Sequence, residues 1–368
     1  MKTNCFLCVL AGILLAACSH GPDFVTDCTA VGTMTPICKF QNPEDMEVLP
    51  DGKTLLVSQM GKDIKIHSPG SLVFFDTETN AITPAFPLPV AIDKAATNTE
   101  NWGAANCPGI PDARFSPHGI SLKQRSDSHW QIAAVNHGGG ERIEMFELLD
   151  YQTGGSPRIE WRGCVVPTAE VFPNDVVVLK DGGIVASHMY DNTTTEIFGF
   201  SANAWKAMLG FNTGYVWEWH QNSGFHILEG SRGPFINGVE VSADNTTVYA
   251  NVYFGGEILR LDRASGKRTG AATVGKADNL AWNSKGELLA VAHPGSTLET
   301  IRCFEQPGST CTLPYTVWRI NPTTMSNEML FTHRGAPMGA ATVARELGGS
   351  LYLGTFSGDR MVKMPYPN

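Results

Sequence analysis

Hydrophobic residues in this chain come mostly in runs of four to eight, separated by turns centred on Gly, Asn or Asp, with little sign of a helical period. One unit recurs: an apolar strand, a tight polar turn, then a second apolar strand. It is read at Met46–Val57 around Asp51-Gly52 and at Ile120–Val135 around Ser126-Asp127. It returns at Val176–Ala186 around Asp181-Gly182 and at Val239–Tyr249 around Asp244-Asn245. The last two copies are Leu280–Val291, turning at Gly286, and Ala341–Leu353, turning at Gly348-Gly349. Several continue into a third strand, as in Gly256–Asp262 and Asp359–Met364. Six such units predict an all-β fold, a six-bladed β-propeller with four-stranded blades; a β-sandwich would not need six similar hairpins. One segment breaks the pattern. Ser201 caps a predicted helix over Ala202–Leu209, which Gly210 ends, and its Trp205, Met208 and Leu209 are read as packing or as a lid over one propeller face.

Composition agrees with this reading. Gly 38 and Pro 22 fit many turns, and 42% hydrophobic residues supply a core. The formal charge of −9 comes without any block of Lys or Arg, which excludes nucleic acid as a partner. At the start, Lys2 precedes an apolar run, Phe6–Ala17, too short to span a bilayer, and Leu15-Ala16-Ala17-Cys18 resembles a bacterial lipobox. Residues 1–17 are therefore read as a lipoprotein leader, 18–41 as a tether and 42–368 as the propeller; plain secretory cleavage is the alternative. Lipidation at Cys18 makes a membrane the partner, and Ser19 points to the outer membrane of a Gram-negative cell. Beyond Cys5, Cys8 and Cys18, six cysteines remain, an even number that fits three disulfides in an exported chain. Cys303–Cys311 and Cys28–Cys38 are expected as local staples, which leaves Cys107–Cys164. No pair among these six has C-x-x-C spacing, so zinc has no support.

The chemistry lies just ahead of each turn. Glu44 precedes Gly52 by eight residues, His118 precedes Ser126, Asn174 precedes Gly182 and Asn237 precedes Asn245 by the same interval, and Asn279 precedes Gly286 by seven. In a propeller these positions open the innermost strands and converge at one end of the central channel. The sixth unit offers Gly339-Ala340 there. One carboxylate and three amides, with Asp278 beside them, make an oxygen-rich, sulfur-free set suited to a hard cation, Ca²⁺ over Mg²⁺. The doublets Glu44-Asp45, Asn174-Asp175 and Asp278-Asn279 place two oxygen side chains in succession, one for the channel mouth and one for a deeper ion. His137 closes the strand that returns beside His118, so the two imidazoles face one site.

These residues resemble the serum paraoxonase and arylesterase family. Asn42-Pro43-Glu44-Asp45-Met46-Glu47-Val48-Leu49-Pro50-Asp51-Gly52 looks like its first calcium motif. Ser116-Pro117-His118-Gly119-Ile120-Ser121 and Val135-Asn136-His137 are similar to its histidine motifs. Pro173-Asn174-Asp175, Ile236-Asn237-Gly238-Val239 and Ala277-Asp278-Asn279 match its later calcium motifs, and Leu351–Phe356 its closing strand. The resemblance implies a six-bladed propeller with two Ca²⁺ ions and lactonase or arylesterase activity on a small ester. Glu44, Asn174, Asn237, Asp278 and Asn279 would hold the catalytic ion. Asp45, Asp175 and the Ile120 carbonyl would hold the structural one, and His118 and His137 would form a dyad. Two features depart from the family. No C-terminal cysteine ties the first strand to the last blade, so closure must come from hydrogen bonds and packing. Ser187-His188-Met189-Tyr190 stands where the family has Asn-Asp-His-Tyr, which bears on the substrate pocket.

The expected mechanism is calcium-assisted ester hydrolysis, with His118 as base and His137 orienting it and relaying the proton. A nearby dication disfavours imidazolium and keeps the base available. The lack of G-x-S-x-G argues against a serine hydrolase. Two other classes stay open: a non-catalytic, calcium-stabilised binding lipoprotein, and a hydrolase of sugar lactones. Trp205, Phe211, Trp217 and Trp219 would favour an apolar mouth if their segment covers the site.

Overall fold

The computed structural model describes residues 23–88, 101–152 and 155–367. The segment expected to be a leader, and Cys18, lie outside the described residues, and among those described no helix is long and apolar enough to cross a membrane. Six four-stranded antiparallel sheets form the blades. Blade one comprises Pro43–Val48, Thr54–Gln59, Ser71–Asp76 and Ile82–Phe86; blade two Pro117–Gln124, Trp130–Asn136, Arg142–Leu149 and Arg158–Val165. Blade three is Val176–Val178, Ile184–His188, Gly214–His220 and Gly224–Gly233; blade four Ile236–Val241, Thr247–Val252, Glu257–Asp262 and Arg268–Thr273. Lys276–Trp282, Leu288–His293, Tyr315–Ile320 and Asn327–His333 make blade five. Blade six takes Ala341–Leu347, Ser350–Thr355 and Arg360–Pro365, with Thr35–Cys38 as its outermost strand.

Part of the segment read as a tether is therefore structural. Thr35–Cys38 pairs with Arg360–Pro365, from Thr35 opposite Lys363 to Cys38 opposite Arg360. This backbone pairing closes the ring without a cysteine at the C-terminus, and the buried Arg360 donates to the Asp27 carbonyl nearby. All three disulfides pair as expected: Cys28–Cys38, Cys107–Cys164 and Cys303–Cys311.

Strands buried on both faces read as continuous apolar runs because alternate residues serve different neighbours. In blade five, Leu288, Ala290 and Ala292 pack toward blade four, while Leu289 and Val291 pack toward blade six. Six such clusters, one between each pair of adjacent blades, make up the core. The tight turns rest on residues in the left-handed region, Gly52, Gly182, Asn245 and Gly286. In blade two that residue is Ser128 rather than one near Ser126, because the first strand is longer, at eight residues. The helix spans Ala202–Met208, and Ser201 Oγ accepts from the Ala204 N–H. A second short helix, Thr297–Arg302, went unread; its capping box joins Ser296 and Glu299.

Candidate functional site

Five innermost strands carry a register shift at one equivalent point. It falls between Pro43 and Asp45, Pro117 and Ile120, Ile236 and Val239, Ala277 and Leu280, and Ala341 and Ala344. The residues inside these bulges are Glu44, His118-Gly119, Asn237-Gly238, Asp278-Asn279 and Thr342-Val343. A bulge breaks the alternation of the strand and re-aims its side chains. This is how strands buried on both faces turn polar groups toward the channel. In blade three, Asn174-Asp175 stand just ahead of the strand, tied back where the Asp175 N–H donates to Ser187 Oγ at 3.0 Å. The sixth position is Thr342, not the expected Gly339-Ala340, and its hydroxyl donates to the Glu44 carbonyl at 2.5 Å. Two glycines allow the bulges to close on each other. A Cβ on Gly119 would lie 2.5 Å from Asp175 Oδ1, and one on Gly238 would lie 2.4 Å from the Asp278 carbonyl.

The expected site residues meet. Glu44 Oε1 accepts from Asn279 Nδ2 at 2.6 Å and lies 3.8 Å from His118 Nε2, which is 3.5 Å from Asn174 Nδ2. Asn237 hydrogen-bonds Asp278. Four buried oxygens in this group have no hydrogen-bond partner: Glu44 Oε2, Asn174 Oδ1, Asn237 Oδ1 and Asn279 Oδ1. Unpaired buried oxygens are costly, and four in one cluster from four blades form a donor set that a hard cation would satisfy. Among the described residues no three His, Cys, Asp or Glu side chains group as a metal site. The donors here are mainly asparagine amides, so the set fits calcium and not a transition metal.

Deeper in the channel, Asp45 Oδ2 accepts from the Ile120 N–H and Asp175 Oδ2 from the Val239 N–H, both at 2.8 Å. Each latches its blade to the next. The Ile120 amide is thus tied to Asp45, one of the residues expected with the Ile120 carbonyl around the structural ion. These oxygens, unlike those at the mouth, all have protein partners. Four carboxyls share the channel. Burial, and then repulsion from Asp45, Asp278 and Asp175, holds Glu44 well above the carboxylate range. Burial pushes Asp278 up to about 8 and Asp45 up to about 7, and raises Asp175 as well. A bound cation would reverse this pressure.

His118 Nδ1 lies 2.9 Å from His137 Nε2. Burial lowers the His118 pKa well below the usual histidine value, with His137 and His67 adding to it, so the ring is neutral at neutral pH. Two neighbours were not anticipated. Glu141 Oε2 is 2.6 Å from His137 Nδ1, and the His67 ring stacks 4.8 Å from His137. Their position on top-face loops, four residues after His137 and between two blade-one strands, was the available signal.

Aromatic rings surround this mouth. Ring contacts run from His67 and His137 to Phe172, Tyr190 and Phe235, on to Tyr253 and His293, and end at Phe356 and Phe304. Every blade contributes. The tryptophans expected there do not: Trp217 and Trp219 are buried between blades two and three, and Trp205 packs on Phe200 within its own insertion. His188, in the segment that departs from the family, is buried, and its Nδ1 accepts from the Phe172 N–H at 3.0 Å.

The fold is a six-bladed β-propeller, and the family match makes the chain a hydrolase of the esterase and lactonase type. The chain belongs to the arylesterase family, which it matches over residues 39–361. Among solved structures it is similar to a gluconolactonase from Xanthomonas campestris, at 13% identity and a TM-score of 0.51 over 94% of this chain and 95% of that one. It is also similar to a luciferin-regenerating enzyme, at 10% identity and a TM-score of 0.51 over 89% and 92% of the two chains. These likenesses show the fold. No curated protein matches the chain.

Proposed function

We propose that this protein is a calcium-dependent hydrolase of apolar carboxylic esters, lactones and aryl esters, working at the aromatic mouth of the channel. The observation that carries the reading is the cluster of four unpartnered oxygens beside the hydrogen-bonded pair His118 and His137. Glu44, Asn174, Asn237, Asp278 and Asn279 would hold the catalytic ion, and Asp45, Asp175 and the Ile120 carbonyl the structural one. Bound there, calcium would supply a Lewis acid for the ester carbonyl and the oxyanion that develops on it.

The chain's own residues do the rest. His118 presents Nε2 toward Glu44 and Asn174, where it takes a proton from the attacking water. His137 receives the hydrogen bond from His118 Nδ1 and so fixes which nitrogen is free. The collar around the mouth takes the acyl or aryl part of the substrate and keeps bulk water out. A polar aldonolactone would bury hydroxyls against these rings, which disfavours sugar-lactone hydrolysis. Cys18 is proposed as the lipid anchor of an exported, outer-membrane protein. Cys18→Ser would abolish labelling by fatty acid and release the protein to the soluble fraction.

The test is hydrolysis of phenyl acetate, an aliphatic lactone and an aldonolactone by the wild type and His118→Gln. Turnover of the first two, lost in the variant, is expected. No turnover of any ester, with calcium still raising the melting temperature, would favour a non-catalytic binding protein.

A further inference from the structure

We propose that Glu141 is the positioning residue of the histidine pair and its outlet to solvent; this rests on the hydrolase reading. A carboxylate only accepts hydrogen bonds, so the 2.6 Å contact puts the proton of His137 on Nδ1. His137 Nε2 is then bare and accepts from His118 Nδ1–H at 2.9 Å, which leaves the lone pair of His118 on Nε2. That nitrogen lies toward the oxygen cluster, 3.8 Å from Glu44. One carboxylate thus fixes both tautomers and aims the base.

The backbone holds the pair in register. The His137 N–H donates to the Ser116 carbonyl at 3.1 Å, and Asn136 Oδ1 accepts from the N–H groups of Ser116 and Gly138. Exposure rises at the far end: the His137 side chain is 2% exposed and that of Glu141 22%. Attack of water on an ester needs a proton taken up and expulsion of the alcohol needs one given back, both at a buried site, while the acid product sheds its own proton on leaving. As water adds to the carbonyl, its proton goes to His118 Nε2. His118 Nδ1–H passes to His137 Nε2, and His137 Nδ1–H passes to Glu141 Oε2, which exchanges with solvent. As the intermediate collapses, His118 Nε2–H protonates the departing alkoxide, and protons step back from Glu141 through His137 to His118 Nδ1, which restores both tautomers. Glu141 supplies the partner of His137 from within its own turn, Gly138-Gly139-Gly140-Glu141.

Two readouts separate this role from the functional reading. In the wild-type protein, ¹⁵N spectra of labelled histidine should show His137 protonated on Nδ1, and Glu141→Ala, which removes the acceptor, should abolish that preference. His137 protonated on Nε2 in the wild type would overturn the proposal, whatever the substrate. In phenyl acetate turnover, Glu141→Ala should lower kcat about 10²-fold with KM unchanged, within the usual range for acid–base groups. Glu141→Asp should recover part of the loss, and added formate should restore the alanine variant in a concentration-dependent way. A kcat within twofold of wild type in Glu141→Ala, or a loss that neither Asp nor formate repairs, would count against it. If the wild type does not turn over, the hydrolase reading fails, while the spectra still judge the positioning role.

Discussion

His118 owes its use as a base to burial. Without the burial that lowers its pKa, an imidazole 3.8 Å from the Glu44 carboxyl would be drawn toward the charged form. His118→Gln keeps the size and polarity but has no titratable nitrogen. Turnover of phenyl acetate should fall about 10²–10⁴-fold with the melting temperature nearly unchanged, as kinetics and calorimetry would show. A second residue-scale prediction concerns Gly238, which faces the Asp278 carbonyl where a Cβ would lie at 2.4 Å. Gly238→Ala should push the Asp278-Asn279 doublet away, at a cost of about 1–3 kcal/mol in urea unfolding, and weaken calcium binding. The type of residue was legible in the sequence at these positions; the partner was often not. Asn174, Asn237 and Asn279 stood out through their spacing from the turns. Glu141 and His67 did not, because loops carry no period to count along.

The bulge is the element that explains the site. A strand packed against blades on both sides has no face left for a ligand, and an inserted residue supplies one. Because the insertion recurs at one height, spacing from the turn was a sound guide in blades one, three, four and five. It slipped in blade six, where the two-residue turn Gly348-Gly349 shortens the count and brings Thr342 to the mouth. In blade two the longer first strand moved the turn to Ser128, yet His118 still fell inside its bulge. The aromatic collar was hidden for another reason: its rings come from strand ends and loops, so no single stretch looks aromatic. The closing strand was also missed, since Thr35–Cys38 is short and holds a proline. Removing residues 23–38 should leave Arg360–Pro365 as an open edge. A lower melting temperature and concentration-dependent aggregation by light scattering are the expected result.

For the whole molecule, the channel links metal, protons and stability. Between about pH 4 and 8 the unfolded chain has released the protons of Asp45 and Asp278, while the cation-free folded chain still holds them, with pKa values of about 7 and 8. Stability of the chelated protein should therefore fall as pH rises through that window. Buried His67, His188 and His293, each lowered to about 4, act in the opposite sense: their contribution is lost as pH falls from about 6.5 toward 4. The rise in melting temperature on adding calcium should accordingly grow from pH 5 to pH 8, and scanning calorimetry across that range checks it.

The central claim is that the unpartnered oxygens at the mouth belong to a calcium ion needed for ester hydrolysis. The most direct measurement is phenyl acetate turnover before chelation, after chelation, and after calcium is restored. The account predicts activity that falls to background with the chelator and returns with calcium but not with magnesium. Turnover that persists unchanged in fully chelated, still folded protein would contradict it.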